Sequence, residues 1–158
     1  LVGSEMCIRD RYNADRHSDT LFISGCGRFF EGDATDMHHA LNEVLAKLPG
    51  DTLIYLDTVV VIPEGKSDRS EYTKSNAAFS AAVLSDNPQI QQLVRDIQTL
   101  RNGGMTTGLY TLDQEKRHNP FMMTSMHAVQ QAIGASDEVN AMKQLRDAKN
   151  AGSMRRNI

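Results

Sequence analysis

Five histidines, two cysteines and scattered carboxylates are the side chains here that could bind a metal or move a proton. Their spacing limits that reading. His38 and His39 are neighbours; on a helix such side chains point about 100° apart, so they cannot chelate one ion, and an exposed helix surface is expected for both. His118 and His127 have no ligand partner at a useful spacing. His17 and Asp19 share a face if that stretch is strand, a spacing that polar edge residues also show. Cys7 and Cys26 lack zinc-ribbon spacing and are too few for a disulfide framework, which points to a reducing, intracellular setting. Gly25-Cys26-Gly27 sets two glycines around one residue, permitting positive φ and a close approach of the backbone to something. Lys143, Arg146 and Lys149 recur every third residue and lie close together if the segment is helical, where a solvated basic face is the ordinary outcome.

The elements that must position these groups read as follows. The chain has 158 residues, 40% hydrophobic and 23% charged, the composition of an ordinary globular protein. A net charge of −3 gives no reason to expect nucleic acid or an anionic membrane as partner, and no apolar run is long enough to span a bilayer. Thr20–Ile23 is β-prone and is ended by the glycine pair. Thr35 is the expected N-cap of a helix carrying Met37, Leu41, Val44 and Leu48 on one face, stopped by Pro49-Gly50. Thr52–Tyr55 and Thr58–Ile62 read as strands. From Tyr72 the pattern turns helical. One helix is capped by Thr73, a second starts at Asn87-Pro88, and two more run near Ser125–Ile133 and Asp137–Lys149, with a turn-rich segment leading to Asn119-Pro120-Phe121. The β/α part holds too few elements to bury a core of its own and reads as a piece of a larger sheet.

Several motifs occur in order. They are Asp19-Thr20-Leu21-Phe22, Gly25-Cys26-Gly27-Arg28-Phe29-Phe30-Glu31-Gly32, the Leu48–Tyr55 run, Glu71-Tyr72-Thr73 with Asn76, Asn119-Pro120-Phe121-Met122, Gln130-Gln131 and Met142–Lys149. Together they resemble glyoxalase II, the hydroxyacylglutathione hydrolases. The resemblance implies a remnant of a metallo-β-lactamase αββα sandwich followed by an all-helical C-terminal substrate-binding domain. It further implies two divalent metal ions, zinc or iron, and hydrolysis of S-lactoylglutathione to D-lactate and glutathione. The domain reading that follows is 17–71 for the partial sandwich, with an atypical insertion at 56–70, and 72–158 for the helical domain. Residues 1–16 are expected to be non-native or disordered; their opening string resembles translated adapter sequence.

By the same resemblance Asp19 is the metal-bridging aspartate, and Arg28, Phe30, Tyr72, Arg146 and Lys149 form the glutathione-holding set. The pattern is incomplete. The family's H-x-H-x-D-H motif is not among these residues, and Ser70 stands where the histidine of C-G-H-E-Y-T belongs. Phe30 replaces a common tyrosine, and Met123 replaces an arginine that often follows N-P-F-M. The expectation is therefore the C-terminal part of a hydroxyacylglutathione hydrolase, catalytically incomplete by itself, monomeric, with a glutathione thioester as substrate, in the cytoplasm, or in mitochondria for the parent. A non-catalytic binding module for glutathione conjugates, or a mis-spliced, non-functional product, are the alternatives.

Overall fold

The computed structural model describes residues 20–29, 32–54, 69–102 and 110–154. Asp19, Phe30, the first sixteen residues and the strand-like 58–62 stretch lie outside them. The described chain is mostly helical, with two small two-stranded sheets. β1 (Leu21–Phe22) and β2 (Gly25–Cys26) form a tight antiparallel hairpin, with Leu21 opposite Cys26 and Phe22 opposite Gly25. Gly25 therefore begins the second strand, and Gly27 follows its end. β3 (Leu53–Ile54) pairs antiparallel with the distant β4 (Tyr110–Thr111).

Among the described residues, four of the six α-helices start where side chains satisfy their first N–H groups. α1 (Ala34–His38) is capped by Asp33, not Thr35. Asp33 accepts from the backbone N–H of Thr35 and Asp36, and the Asp36 carboxylate accepts from that of Asp33, a reciprocal box. The helix continues as a wider π-type segment over His39–Val44 and a tight turn at Leu45–Lys47, and ends before Pro49. α2 (Arg69–Val83) begins four residues before Thr73, which is buried inside it rather than capping it. α3 (Pro88–Asn102) starts as the Asn87-Pro88 pair requires, with Asn87 Oδ1 accepting from the N–H of Gln89 and Ile90.

α4 (Leu112–His118) forms within the segment expected to be turn-rich, because Thr111 and Gln114 build a second capping box. Asn119 then caps a single tight turn, Pro120–Met122, through the Phe121 N–H. α5 (His127–Ile133) ends on left-handed Gly134, and α6 (Glu138–Asn150) is capped by Asp137.

Two apolar clusters hold these elements together. The larger joins Leu21, Cys26, Ala34, Leu41 and Ile54 to Phe79, Leu112, Phe121, Met142 and Leu145. The smaller joins Ile23 to Ala77, Ala81, Ile90, Leu93, Ile97 and Tyr110. Leu21, Ile23, Cys26, Ala34, Leu41 and Ile54 are thus buried in the same clusters as side chains of the helices, which is how so short a β/α piece finds a core. His38, expected at an exposed surface, is buried where α1 meets α6, its Nε2 3.0 Å from Glu138 Oε2. His39 beside it is exposed and pairs with Glu43.

Candidate substrate site

Among the described residues, the β1–β2 hairpin is densely bound by side chains distant in sequence. Its turn residue, Ser24, adopts φ 54°, a left-handed conformation that costs a non-glycine residue on the order of 1 kcal/mol. Gly25 and Gly27, the positions where positive φ was expected, do not carry it. Three hydrogen bonds at a time hold Ser24 there. Its N–H donates to Glu115 Oε2 at 2.9 Å, and its Oγ donates to the His118 carbonyl at 3.0 Å. Ser80 Oγ lies 2.6 Å from Ser24 Oγ and 3.1 Å from the Ser24 carbonyl, so its single proton serves one of the two at a time.

The grip extends along the whole hairpin. Each backbone carbonyl from Phe22 to Gly27 has a side-chain donor within 3.4 Å. Asn119 Nδ2 reaches those of Phe22 and Gly25, Asn76 Nδ2 that of Ile23, and Ser80 that of Ser24. Arg146 Nη1 reaches Cys26 at 2.8 Å and Gly27 at 3.4 Å. These donors come from α2, α6 and the end of α4. Glu115 is fully buried, and burial pushes its carboxyl up to about 8 even though the Ser24 and Asn119 donors pull it down.

Two of the basic residues singled out from sequence meet this hairpin. Arg146 and Lys149 project from one face of α6, three residues apart. Lys143, expected beside them, is exposed and pairs with Asp147. The basic stripe is therefore not a uniformly solvated face. Arg146 is buried, with Nε bonded to Asn150 at 3.0 Å and Nη1 on the hairpin carbonyls. Lys149 Nζ donates to Asn76 Oδ1 and sits 5.5 and 5.7 Å from the ring centres of Phe79 and Phe121, which stack on each other. Desolvation pulls the Lys149 amine down to about 8.

Gly25 makes the approach possible: a Cβ there would lie 2.8 Å from both Lys149 Nζ and Asn76 Nδ2. Cys26 lies in the same corner, but burial raises its thiol to about 11, which removes it as a nucleophile near neutral pH. Arg28 is exposed just past the hairpin. Tyr72 lies in α2, with its side chain outside the described part. The arrangement can present positive charge beside a rigid, apolar-backed turn, which suits carboxylates. Among the described residues, no three His, Cys, Asp or Glu side chains come together in a way that could hold a metal ion.

Residues 71–152 match the family described as hydroxyacylglutathione hydrolase C-terminus, more than half of the chain. The chain belongs to that family. A protein of Schizosaccharomyces pombe named as a probable hydroxyacylglutathione hydrolase is 49% identical over 133 residues, covering 84% of this chain and 46% of the relative. A cytoplasmic hydroxyacylglutathione hydrolase of Arabidopsis thaliana is 34% identical, covering 83% of this chain and 46% of the relative. A mitochondrial one of Saccharomyces cerevisiae is 38% identical, covering 84% and 46%. The chain spans about half the length of the curated relatives it matches.

Within this hydroxyacylglutathione hydrolase segment, sequence reasoning found Arg146 and Lys149 but missed what seats them. Asn76 and Asn119 were visible only as motif members, and Glu115 and Ser80 not at all. Glu115 and Asn119 are four apart, one helical turn, which a search for buried polar pairs could have noticed once α4 was recognised.

Proposed function

We propose that this chain supplies the glutathione-holding part of a hydroxyacylglutathione hydrolase, whose whole protein hydrolyses S-lactoylglutathione to D-lactate and glutathione. The observation that carries the reading is the seating of Lys149 and Arg146 against the hairpin that leads into Arg28. Lys149 meets a ligand carboxylate with a charge-assisted hydrogen bond, and Arg28 meets a second from the open side. Arg146 contributes its charge while anchoring the turn. Phe30 and Tyr72 line the same pocket in this reading, and Asp19 enters the bridging position of a metallo-β-lactamase αββα sandwich, of which residues 17–71 are a part. The helical substrate domain is 72–158.

Two divalent metal ions, zinc or iron, belong to the family's chemistry. The described residues bring no three His, Cys, Asp or Glu side chains together and do not fit such a centre. What these residues do is bind and orient a tripeptide thioester. The reading places the protein in the cytoplasm, as a monomer. No helix among the described residues is long and apolar enough to cross a membrane.

Calorimetric titration of the purified chain with S-hexylglutathione tests the proposal. Saturable binding is expected, weakened about tenfold or more by Lys149→Met, which removes one charged hydrogen bond and keeps the apolar stem. Absence of saturation at millimolar ligand would refute it. With zinc or iron added, the chain is expected to hydrolyse S-lactoylglutathione no faster than buffer, and clear turnover would show that its catalytic centre is complete.

A further inference from the structure

The fully buried carboxyl of Glu115 has no part in holding glutathione directly, yet it lies at the centre of the hairpin's attachment. Its Oε2 accepts from the Ser24 N–H at 2.9 Å and from Asn119 Nδ2 at 2.9 Å, and Asn119 Nδ2 also lies 3.0 Å from the Gly25 carbonyl. One side chain on α4 thus fixes both the strained turn residue and the asparagine that binds the strand after it. From that strand Cys26 and Gly27 offer their carbonyls to Arg146, and Gly25 gives Lys149 its room.

We propose that Glu115, with Asn119, is a positioning residue for substrate. In this role it holds the 22–27 hairpin in the one conformation that lets Lys149 and Arg146 reach it and aims the Arg28 backbone at the ligand. The proposal rests on the glutathione-holding reading above. Its physical basis is the left-handed backbone at Ser24. A serine keeps φ 54° only where the surroundings over-determine it, and the Ser24 N–H is buried, so it must find an acceptor inside the protein. Glu115 is that acceptor.

The negative charge is not what the role requires. Oε1 has no hydrogen-bond partner among the described residues and faces His118 Nε2 at 3.7 Å, while Oε2 does all the accepting. Burial favours the protonated acid, and Oε1, which accepts no hydrogen bond among the described residues, is the oxygen free to carry the proton. A glutamine can place its amide oxygen where Oε2 is and its NH₂ where the protonated oxygen was. Acceptor geometry, not charge, is the required property, which separates Glu115→Gln from Glu115→Ala.

The test compares the wild-type chain, Glu115→Gln and Glu115→Ala in two measurements: titration with S-hexylglutathione, and amide hydrogen exchange. For Glu115→Ala the dissociation constant is expected to rise at least about tenfold, as for loss of a buried hydrogen-bond acceptor. Exchange is expected to accelerate at Ser24 and across 22–27 while α3 and α5 stay protected. Glu115→Gln is expected to keep binding within about twofold of wild type and to keep Ser24 protected, because the acceptor is retained. Unchanged binding and exchange in Glu115→Ala would overturn the proposal. So would a Glu115→Gln as damaged as Glu115→Ala, or acceleration spread evenly over all helices. If the wild-type chain itself does not bind, the glutathione reading fails and takes the substrate role of Glu115 with it. The exchange profiles then decide separately whether Glu115 holds the hairpin.

Discussion

At Lys149, charge and burial are in competition. The ammonium is drawn out of water onto two stacked phenyl rings and one amide oxygen, and burial lowers its affinity for a proton until it titrates at about 8. A carboxylate ligand needs the charged form. Affinity for S-hexylglutathione is therefore expected to hold through pH 7 and to fall as pH rises past about 8, and Lys149→Met is expected to abolish that fall. Titrations between pH 6.5 and pH 9.5 check both. Gly25 gives a second expectation at this scale. A methyl group there would press on Lys149 Nζ, whose flexible stem can give, and on Asn76 Nδ2 and Cγ, whose short, buried side chain is held by the Ile23 carbonyl and by Lys149. Gly25→Ala is expected to cost ligand affinity and, because Asn76 must loosen its buried hydrogen bonds, to lower stability by about 1–3 kcal/mol, measured by urea unfolding. A large stability loss with binding intact would contradict that assignment.

The elements show which features sequence made legible and which it could not. Asn87-Pro88 announced α3, and Asp137 began α6, because these signals act within a few residues of the chain. α4 stayed hidden. It is only seven residues long, its apolar content is one leucine, and its N-terminal signal, Thr111 with Gln114, is plain only in hindsight. The β1–β2 hairpin was half visible. Its glycines foretold a close approach, realised at Gly25, but the positive φ fell on Ser24, because acceptors and donors some 56 to 94 residues away outweigh local preference. His38 was misjudged for the same reason: its partner, Glu138, is 100 residues distant. α4 matters out of proportion to its length because it carries Glu115. Thr111→Ala removes its cap and is expected to cost about 1 kcal/mol in urea unfolding. Ser24 amide exchange is expected to accelerate with it, and an unaltered midpoint would show that α4 needs no cap once packed.

For the molecule as a whole, the buried acid and its neighbour set the pH dependence of stability. Glu115 titrates at about 8 when folded, against an ordinary carboxyl near 4.5 when unfolded. Between those values the folded state holds a proton that the unfolded state has lost, so stability falls as pH rises. His118 works in the other direction. It is buried as a neutral ring, desolvation lowers it to about 4 from the ordinary 6.5, and its ring packs edge-on against Tyr110 at 5.7 Å. Between 4 and 6.5 the unfolded state holds the extra proton, so stability rises with pH. The two slopes oppose each other below 6.5, and only the Glu115 slope remains from there to about 8. Wild-type stability is therefore expected to be nearly level through the mildly acidic range and to decline between pH 6.5 and pH 8. Glu115→Gln, which cannot ionise, is expected to remove the decline and to reveal the His118 rise beneath it. Urea midpoints at half-unit steps of pH for both proteins measure this directly. A wild-type profile parallel to that of Glu115→Gln over the whole range would mean that Glu115 is already ionised in the fold, and that the Ser24 N–H makes a charge-assisted hydrogen bond to a carboxylate.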